Sequence, residues 1–380
     1  SSDDAAAITT AYRNAAAELG VTGTSTMTNA ELITAIKTAN DTAIANGVDL
    51  TTDNATATDA AVAALGISGV STLAQLNTAY DLLANPVSLV LTAGSDTLTG
   101  TTGADSFDAG LNASGAQTLN SVDSVSGGNG TDTITIITNT AGTYAPTLAS
   151  VENVSLNNTA GGAVTLDMTN ATGVTSITAV SPSAQNLSFN NIGDLSTSLN
   201  VSSMTLGATV TFDMLDSAVS GTSDSASLTI TSSTTGTVVV DAAVETLNLI
   251  SSGNTNTLTA LTNSANTINI SGSAGITLGG TNTTAETFTA TSTGAVTLTS
   301  NNASASSYTG GAGVDSITYT GGTAVVETVN AGAGNDVITF TASLDDVDVL
   351  DGGDGVDVLA GISADMVALT TANNISNFET

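Results

Sequence analysis

Three segments near the C-terminus set the period on which this chain is built. "GGAGVDSIT" begins at Gly310, "AGAGNDVIT" at Ala331 and "GGDGVDVLA" at Gly352, an offset of 21 each time. That offset superposes Gly311, Gly332 and Gly353; Gly313, Gly334 and Gly355; Asp315, Asp336 and Asp357; and Ile317, Ile338 and Leu359. The rhythm runs on toward the N-terminus without the aspartates. "VETLNLISSG" from Val244, "NTINISGSAG" from Asn266, "AETFTATSTG" from Ala285, "SSYTGGAGVD" from Ser306 and "VETVNAGAGND" from Val326 start at nearly the same spacing. Each reads as strand, glycine-containing turn, strand. Looser copies ("VENVSLNNTAGGAVTLDM", "VTSITAVSPSAQNLSFN", "SLTITSSTTGTVVVD") lie further upstream. A unit this short cannot bury its own apolar face and must stack on its neighbours, so one coil of a parallel β-solenoid fits the pattern. The competing fold is an all-β sandwich with strands every 8–12 residues or so. A sandwich gives no reason for identical residues to recur at a fixed interval.

Residues 1–86 differ in kind. "AAAITTAYRNAAAELG", "NAELITAIKTAN", "TDAAVAALG" and "TLAQLNTAYDLLAN" carry Ala, Leu and Ile at helical spacing and end at Gly or Asn. "ELGVTGTSTM" at 18–27 matches "ALGISGVSTL" at 64–73, an offset of 46. Each copy reads as helix, glycine stop, short loop with a Ser or Thr N-cap, and second helix. The expectation is a small all-α bundle of two αα-hairpins, closed by Pro86. The division that follows is 1–86 helical, 87–145 and 301–380 solenoid with glycine–aspartate turns, and 146–300 solenoid without them.

A second register runs through residues 91–135. Asp96, Asp105, Asp123 and Asp132 lie on one nine-residue grid, with Ser114 at the unfilled node. One such unit makes a turn and a short strand, so two units complete a coil. Successive aspartates are then expected to alternate between two sides, and those two units apart to stack.

Stacked carboxylates need a reason. Coils roughly 4.8 Å apart would set two such charges repelling by about 3 kcal/mol at an effective dielectric near 20. The whole strand-propensity scale spans only about 1 kcal/mol. A hard dication between coils turns that repulsion into attraction, and glycines let backbone carbonyls face the ion to complete its oxygen shell. Calcium suits such a flexible cage better than magnesium, and without His or Cys zinc and copper lose their preferred ligands.

Composition points the same way. There are 34 acidic residues against two basic ones, Arg13 and Lys37, for a net charge of −32. Nothing could neutralise phosphates, so nucleic acid is excluded as a partner, and an anionic membrane surface would not attract the chain. Absence of Cys removes disulfides and thiolate metal sites. No apolar run reaches transmembrane length and no signal segment is present. The chain starts at Ser1 without Met and stops at "NFET", where another rung is due, so a processed or longer protein is expected.

The glycine–aspartate segments carry the nonapeptide G-G-x-G-x-D-x-U-x, U being a large apolar residue, in full at 127–135, 310–318 and 352–360, and in part at 100–108 and 331–339. In this the chain resembles the RTX family of secreted calcium-binding proteins. The resemblance implies a right-handed β-roll in which aspartates and nearby carbonyls hold Ca2+ between successive turns. On this chain the implied ligand set is Asp96, Asp105, Asp123, Gly127, Asn129 and Asp132 in the first block. In the last block it is Gly311, Gly313, Asp315, Gly332, Gly334, Asp336, Asp348, Asp351, Gly353, Gly355 and Asp357. Asp348, one grid unit before Asp357, is the best ligand for the opposite side, while Asp345, Asp346 and Asp354 read as solvated loop acids. Glu152, Glu245, Glu286, Glu327 and Glu379 sit in recurring V/A/F-E-x openings and read as solvated corners. The Thr/Asn/Ala-rich rungs between the motifs look like those of RTX-bearing bacterial S-layer proteins. The RTX resemblance implies type I secretion, and the narrower one implies a cell-surface location, self-association, and a helical N-terminal domain that holds envelope polysaccharide or lipopolysaccharide.

Three functions compete. A structural subunit of a calcium-ordered extracellular coat leads. A secreted calcium-binding adhesin or carbohydrate-binding module is the alternative, with Thr/Asn ladders as the contact face. An enzyme is disfavoured: without His or Cys there is no Ser-His-Asp or Cys-His site, and the solenoid has no basic group for lyase chemistry. A carboxylate pair could serve glycoside hydrolysis, but most acids are already assigned to calcium.

Overall fold

The computed structural model describes residues 10, 12–14, 16–17, 20–45 and 86–379, apart from 181–183, 206, 281–286, 302–304, 321–325, 342–343 and 362–373. The chain is mainly β, a parallel solenoid of about 12 turns with few helices. One wall is a single fourteen-stranded sheet that starts at Ser88–Val90 and ends at Ile375–Ser376. It crosses both expected divisions, at 145 and at 300, without a break in pairing. The facing side is three shorter sheets that overlap, the first two sharing the coils at 142–172 and the last two the coil at 256–262. Four strands run from Thr97–Thr99 to Ala171–Thr172, six from Gly142–Tyr144 to Ala260–Thr262, and six from Asn256–Leu258 to Val358–Ala360.

Alternation explains the strands. In Thr246–Ser252, Leu247, Leu249 and Ser251 point inward while the residues between them are half-buried. Parallel in-register pairing then stacks like on like. Phe107, Ile134, Val154, Ile177, Leu199, Leu228, Leu249 and Ile270 form one continuous column down the rod. Each buried aliphatic or aromatic side chain of this kind contributes about 1.5–3 kcal/mol. Phe189 stacks on Phe212 with centroids 5.5 Å apart, and Tyr319 on Phe340 at 5.0 Å. Aromatics are rare in the sequence, and these four are spent in register in the core.

Along the fourteen-stranded wall the expected coil length holds from Ser225 to Val349, where Ser225 pairs with Thr246, Thr246 with Thr267, Thr267 with Thr287 and Thr328 with Val349, and the last coil is longer, Leu350 pairing with Ile375. Upstream the coils are less even. Ser106 pairs with Thr133, well beyond one regular coil, because the chain leaves the coil between them. That excursion is a hairpin-like loop held by an antiparallel Leu111–Gln117 bridge and by Asn112 Oδ1, which accepts the N–H groups of Ser114 and Ala116 at 3.0 and 2.9 Å.

In the N-terminal region the helix Asn29–Ala45 forms where "NAELITAIKTAN" placed it. Thr28 and Glu31 make a reciprocal capping box: Glu31 N–H donates to Thr28 Oγ1 at 3.3 Å and Thr28 N–H to Glu31 Oε2 at 2.8 Å. The described part of residues 10–17 is helical too. The second expected αα-hairpin, and with it the bundle, lies outside the described residues.

Candidate metal centre

Each motif aspartate occupies the last position before a strand, where the chain emerges from its glycine turn. Asp315 precedes Ser316–Tyr319, Asp336 precedes Val337–Phe340 and Asp357 precedes Val358–Ala360. Their backbone carbonyls still join the parallel ladder: Val337 N–H donates to Asp315 O and Val358 N–H to Asp336 O, both at 2.9 Å. Their own N–H groups have no backbone acceptor, because the next coil is turning at its glycines. The next acidic side chain takes that role. Val296 N–H donates to Asp315 Oδ1 at 2.8 Å, Asp315 N–H to Asp336 Oδ1 at 2.7 Å, Asp336 N–H to Asp357 Oδ1 at 2.8 Å, and Asp357 N–H to Glu379 Oε2 at 2.6 Å. The result is a file of carboxylates, one per coil, each continuing the ladder one residue beyond the sheet.

The N-terminal block repeats the device. Val87 N–H donates to Asp105 Oδ1, Asp105 N–H to Asp132 Oδ1 and Asp132 N–H to Glu152 Oε2, all at 2.7 Å. On the facing wall Asp96 N–H donates to Asp123 Oδ1 at 2.9 Å. Successive grid aspartates do alternate between walls. Those two units apart do not stack, however: Asp105 partners Asp132 rather than Asp123, and Asp96 partners Asp123, three units on. The excursion at 110–118 consumes one unit, and Ser114 lies in it rather than at a corner of the coil.

Glycine makes room for this arrangement. A Cβ on Gly127 would overlap both the Ser150 carbonyl oxygen and Asp132 Oδ2, and one on Gly100 would overlap the Gly127 carbonyl and Asp105 Oδ2. In the last block a Cβ on Gly310 would strike the Ala331 carbonyl, and one on Gly352 the Asn377 carbonyl. Carboxylate and carbonyl oxygens therefore converge on a space that any side chain would fill. Gly332 and Gly353 additionally adopt φ of +96° and +89°, where L-residues are strained. Gly311, Gly332 and Gly313 turn their carbonyls to the glycine one coil on; Gly311 O also accepts Ala333 N–H and Gly332 O accepts Asp354 N–H, both at 2.8 Å.

The carboxylates are buried and poorly compensated. Asp105, Asp123, Asp132, Asp315, Asp336, Asp348 and Asp357 are all at most 2% exposed. Both basic residues precede residue 86, so the solenoid has no cationic side chain to pair with them. Burial, reinforced by neighbouring charges, pushes Asp132 up to about 6, with Glu152 and Asp105 beside it. Asp336 is likewise pushed up to about 6 by burial, with Asp315 and Asp357 beside it. Burial also raises Asp123 and Asp315.

The sites are not equivalent. Asp132, Asp336 and Asp357 each bury an Oδ2 that has no hydrogen-bond partner. Asp315, also in a full motif, has none to spare: Tyr308 donates its hydroxyl to Oδ2 at 2.6 Å. Asp105 Oδ2 accepts from Thr101 N–H, and Asp123 Oδ2 from Asn120 N–H at 2.7 Å. Asp96 Oδ2 accepts Thr92 N–H at 2.7 Å. Asn129 donates its N–H to Thr101 O at 3.2 Å and buries an unpartnered Nδ2. Asp351 stands apart from both files. It ends the strand Val349–Asp351, and its Oδ1 accepts Gly353 N–H and Asn377 Nδ2 at 3.1 and 2.7 Å. Asp348 lies on the fourteen-stranded wall, as its opposite-side placement required, and its Oδ1 accepts Glu327 N–H at 3.0 Å.

Glu327 corrects the sequence reading: it is 2% exposed, not a solvated corner. Glu152 and Glu245 are half-buried and Glu379 is exposed, and each accepts an N–H of the coil before at 2.6–2.7 Å. These three end their hydrogen-bonded files, and Glu152 and Glu245 sit immediately before a strand as the motif aspartates do. The signal was available: V-E-x holds the acid at the phase that G-x-D does. Glu286 lies outside the described residues. Tyr308, one turn before its aspartate, had no signal in the motif.

Tested as a cation site, the residues fit. The donor set is oxygen alone, one carboxylate oxygen in each of three coils is orphaned, and the glycine cradles bring carbonyls alongside. Among the described residues no three acidic side chains converge on one point, so an ion would draw most of its shell from carbonyls. No protein-family model matches the chain, and no curated protein matches it.

Proposed function

We propose that the chain is a structural subunit of an extracellular, calcium-ordered surface layer, built on a right-handed RTX-type β-roll. The observation that carries this reading is the buried, uncompensated carboxylate file at Asp132, Asp336 and Asp357. Bound calcium would supply the positive charge that these coils lack. Asp132, Asp336 and Asp357 would hold it through Oδ2, with the carbonyls of the neighbouring glycine turns, while each Oδ1 keeps its backbone N–H. Asp315, satisfied by Tyr308, would carry no ion or a weaker one.

Coupling of folding to cation supply follows from the charge. A net −32 opposes compaction, and ions that bind only the folded coils add their binding energy to its stability. That suits a chain that leaves the cell by type I secretion and folds where calcium is plentiful. Among the described residues no helix is long and apolar enough to cross a membrane. Retention at the cell surface would fall to residues 1–86, through polysaccharide or lipopolysaccharide.

Electron microscopy of the purified chain with calcium and with chelator tests this. Ordered two-dimensional sheets that disperse in chelator are the expected result. Monomers in both conditions that still bind glycan would overturn the coat in favour of an adhesin.

A further inference from the structure

Outside the nonapeptide file one further acidic pair is buried with no cationic side chain to balance it. Glu327 opens the strand Glu327–Asn330 and Asp348 precedes the next strand of the same fourteen-stranded wall. Their exposures are 2% and 1%. No glycine precedes Asp348 in motif phase; the preceding residues are "SLDDV". Both Asp348 oxygens accept backbone donors, Glu327 N–H on Oδ1 at 3.0 Å and Asp345 N–H on Oδ2 at 2.9 Å. Against it lies the Glu327 carboxyl, within hydrogen-bonding reach, with Oε2 fully buried and without a partner. One coil earlier in the same column stands Ser306, paired in register with Glu327, and the Tyr319 side chain bonds to it.

We infer that Glu327 and Asp348, with the Ser306 hydroxyl above them, form a second cation site of hard oxygen donors, taking a divalent ion of the calcium class. Two carboxylates in contact, in a segment without a cationic side chain, are tolerated only if something positive joins them. The available donors are all oxygen, which favours calcium over softer metals. Glutamate reaches where aspartate would not: its extra methylene carries the carboxyl from the strand start to the carboxylate of the next coil. The rival occupant is a single proton shared between the two groups. This inference rests on the calcium chemistry of the proposed function and takes up Asp348 from the ligand set that the RTX resemblance implies, but it shares no residue with the file at Asp132, Asp336 and Asp357, so either can fail alone.

Bound calcium per full-length chain, counted by equilibrium dialysis at neutral pH after stripping with EDTA, tests it. Glu327→Gln is expected to lower the count by one, and Asp357→Asn to lower it independently, with the double variant losing both. A Glu327→Gln protein that binds as many ions as wild type would overturn the inference and identify the shared proton. If Glu327→Gln does not fold, terbium replaces calcium in the wild type. Tyrosine-excited terbium emission should then fall in Tyr319→Phe, which deletes only a hydroxyl, and stay unchanged in Tyr144→Phe. Equal emission from all three proteins would overturn the site. A wild type that binds no calcium at all would remove the file and this site together.

Discussion

The central coils and the glycine–aspartate coils close the same ladder by different chemistry. In the centre, two of the polar ladders are neutral amides, Asn256 inside the rod and Asn248–Asn269 on its half-buried outer positions. Asn256 donates to Ile230 O, Ser251 Oγ and Ser252 O at 3.1, 2.8 and 3.1 Å and accepts Ser233 N–H at 2.8 Å. Asn269 donates to Asn248 Oδ1 at 2.9 Å, coil upon coil. Toward the C-terminus the acceptors are aspartates, and at Asp336 and Asp357 half of each carboxylate has no partner. An amide ladder is complete in itself. A carboxylate ladder makes the same backbone bonds but leaves negative charge for another component to balance, so its stability becomes conditional.

That contrast can be broken in several ways. The largest effect belongs to the centre: Phe212→Ala, which empties a stacked pair, should cost about 3–5 kcal/mol, and thermal unfolding should show the same loss in calcium and in EDTA. Gly353→Ala should cost about 1–3 kcal/mol, since φ is +89° and a Cβ would meet the Gly332 carbonyl. That variant should also weaken calcium binding, read by titration calorimetry. Asp336→Asn should change sign with conditions. In EDTA it relieves a buried uncompensated charge and should raise the melting temperature; in calcium it removes a ligand and should lower it. Either shift is worth about 1–3 kcal/mol. A fall in both conditions would mean that Asp336 is purely structural.

Acidity sharpens the comparison further. Asp132 and Asp336 are pushed up to about 6 and Glu327 to about 8, all chiefly by burial. A raised carboxylate binds its proton more tightly when folded, so the stability it contributes is complete at low pH and is lost as pH climbs through the folded value. Chelated protein should therefore melt higher at pH 5 than at pH 8. In saturating calcium that trend should flatten or reverse, because protons compete with the ion. Melting curves across that pH interval suffice to see it.

Much of this was legible in the sequence. The C-terminal period places Asp315, Asp336 and Asp357 one coil apart, and Ile317, Ile338 and Leu359 pair as the repeat requires. The nine-residue grid misled in one respect. The excursion at 110–118 is as long as the unit itself, so it preserves the phase of the aspartates while moving the stacking partner of Asp105 from Asp123 to Asp132. No spacing argument can distinguish a half-coil from a loop of equal length. Tyr308 was invisible for another reason: its hydroxyl meets Asp315 through side-chain packing, which periodicity does not record. The glutamates were visible in position but not in role, because an acid after a valine reads equally well as a solvated corner until its burial is known.

Hydrogen exchange resolved along the chain, in millimolar calcium and in excess EDTA, tests the conditional ladder most directly. Amides of Val337–Phe340 and Val358–Ala360 should lose protection on chelation, while those of Ser225–Thr231 and Thr246–Ser252 keep theirs. Unchanged protection in all four strands, or an equal loss in all four, would contradict the account.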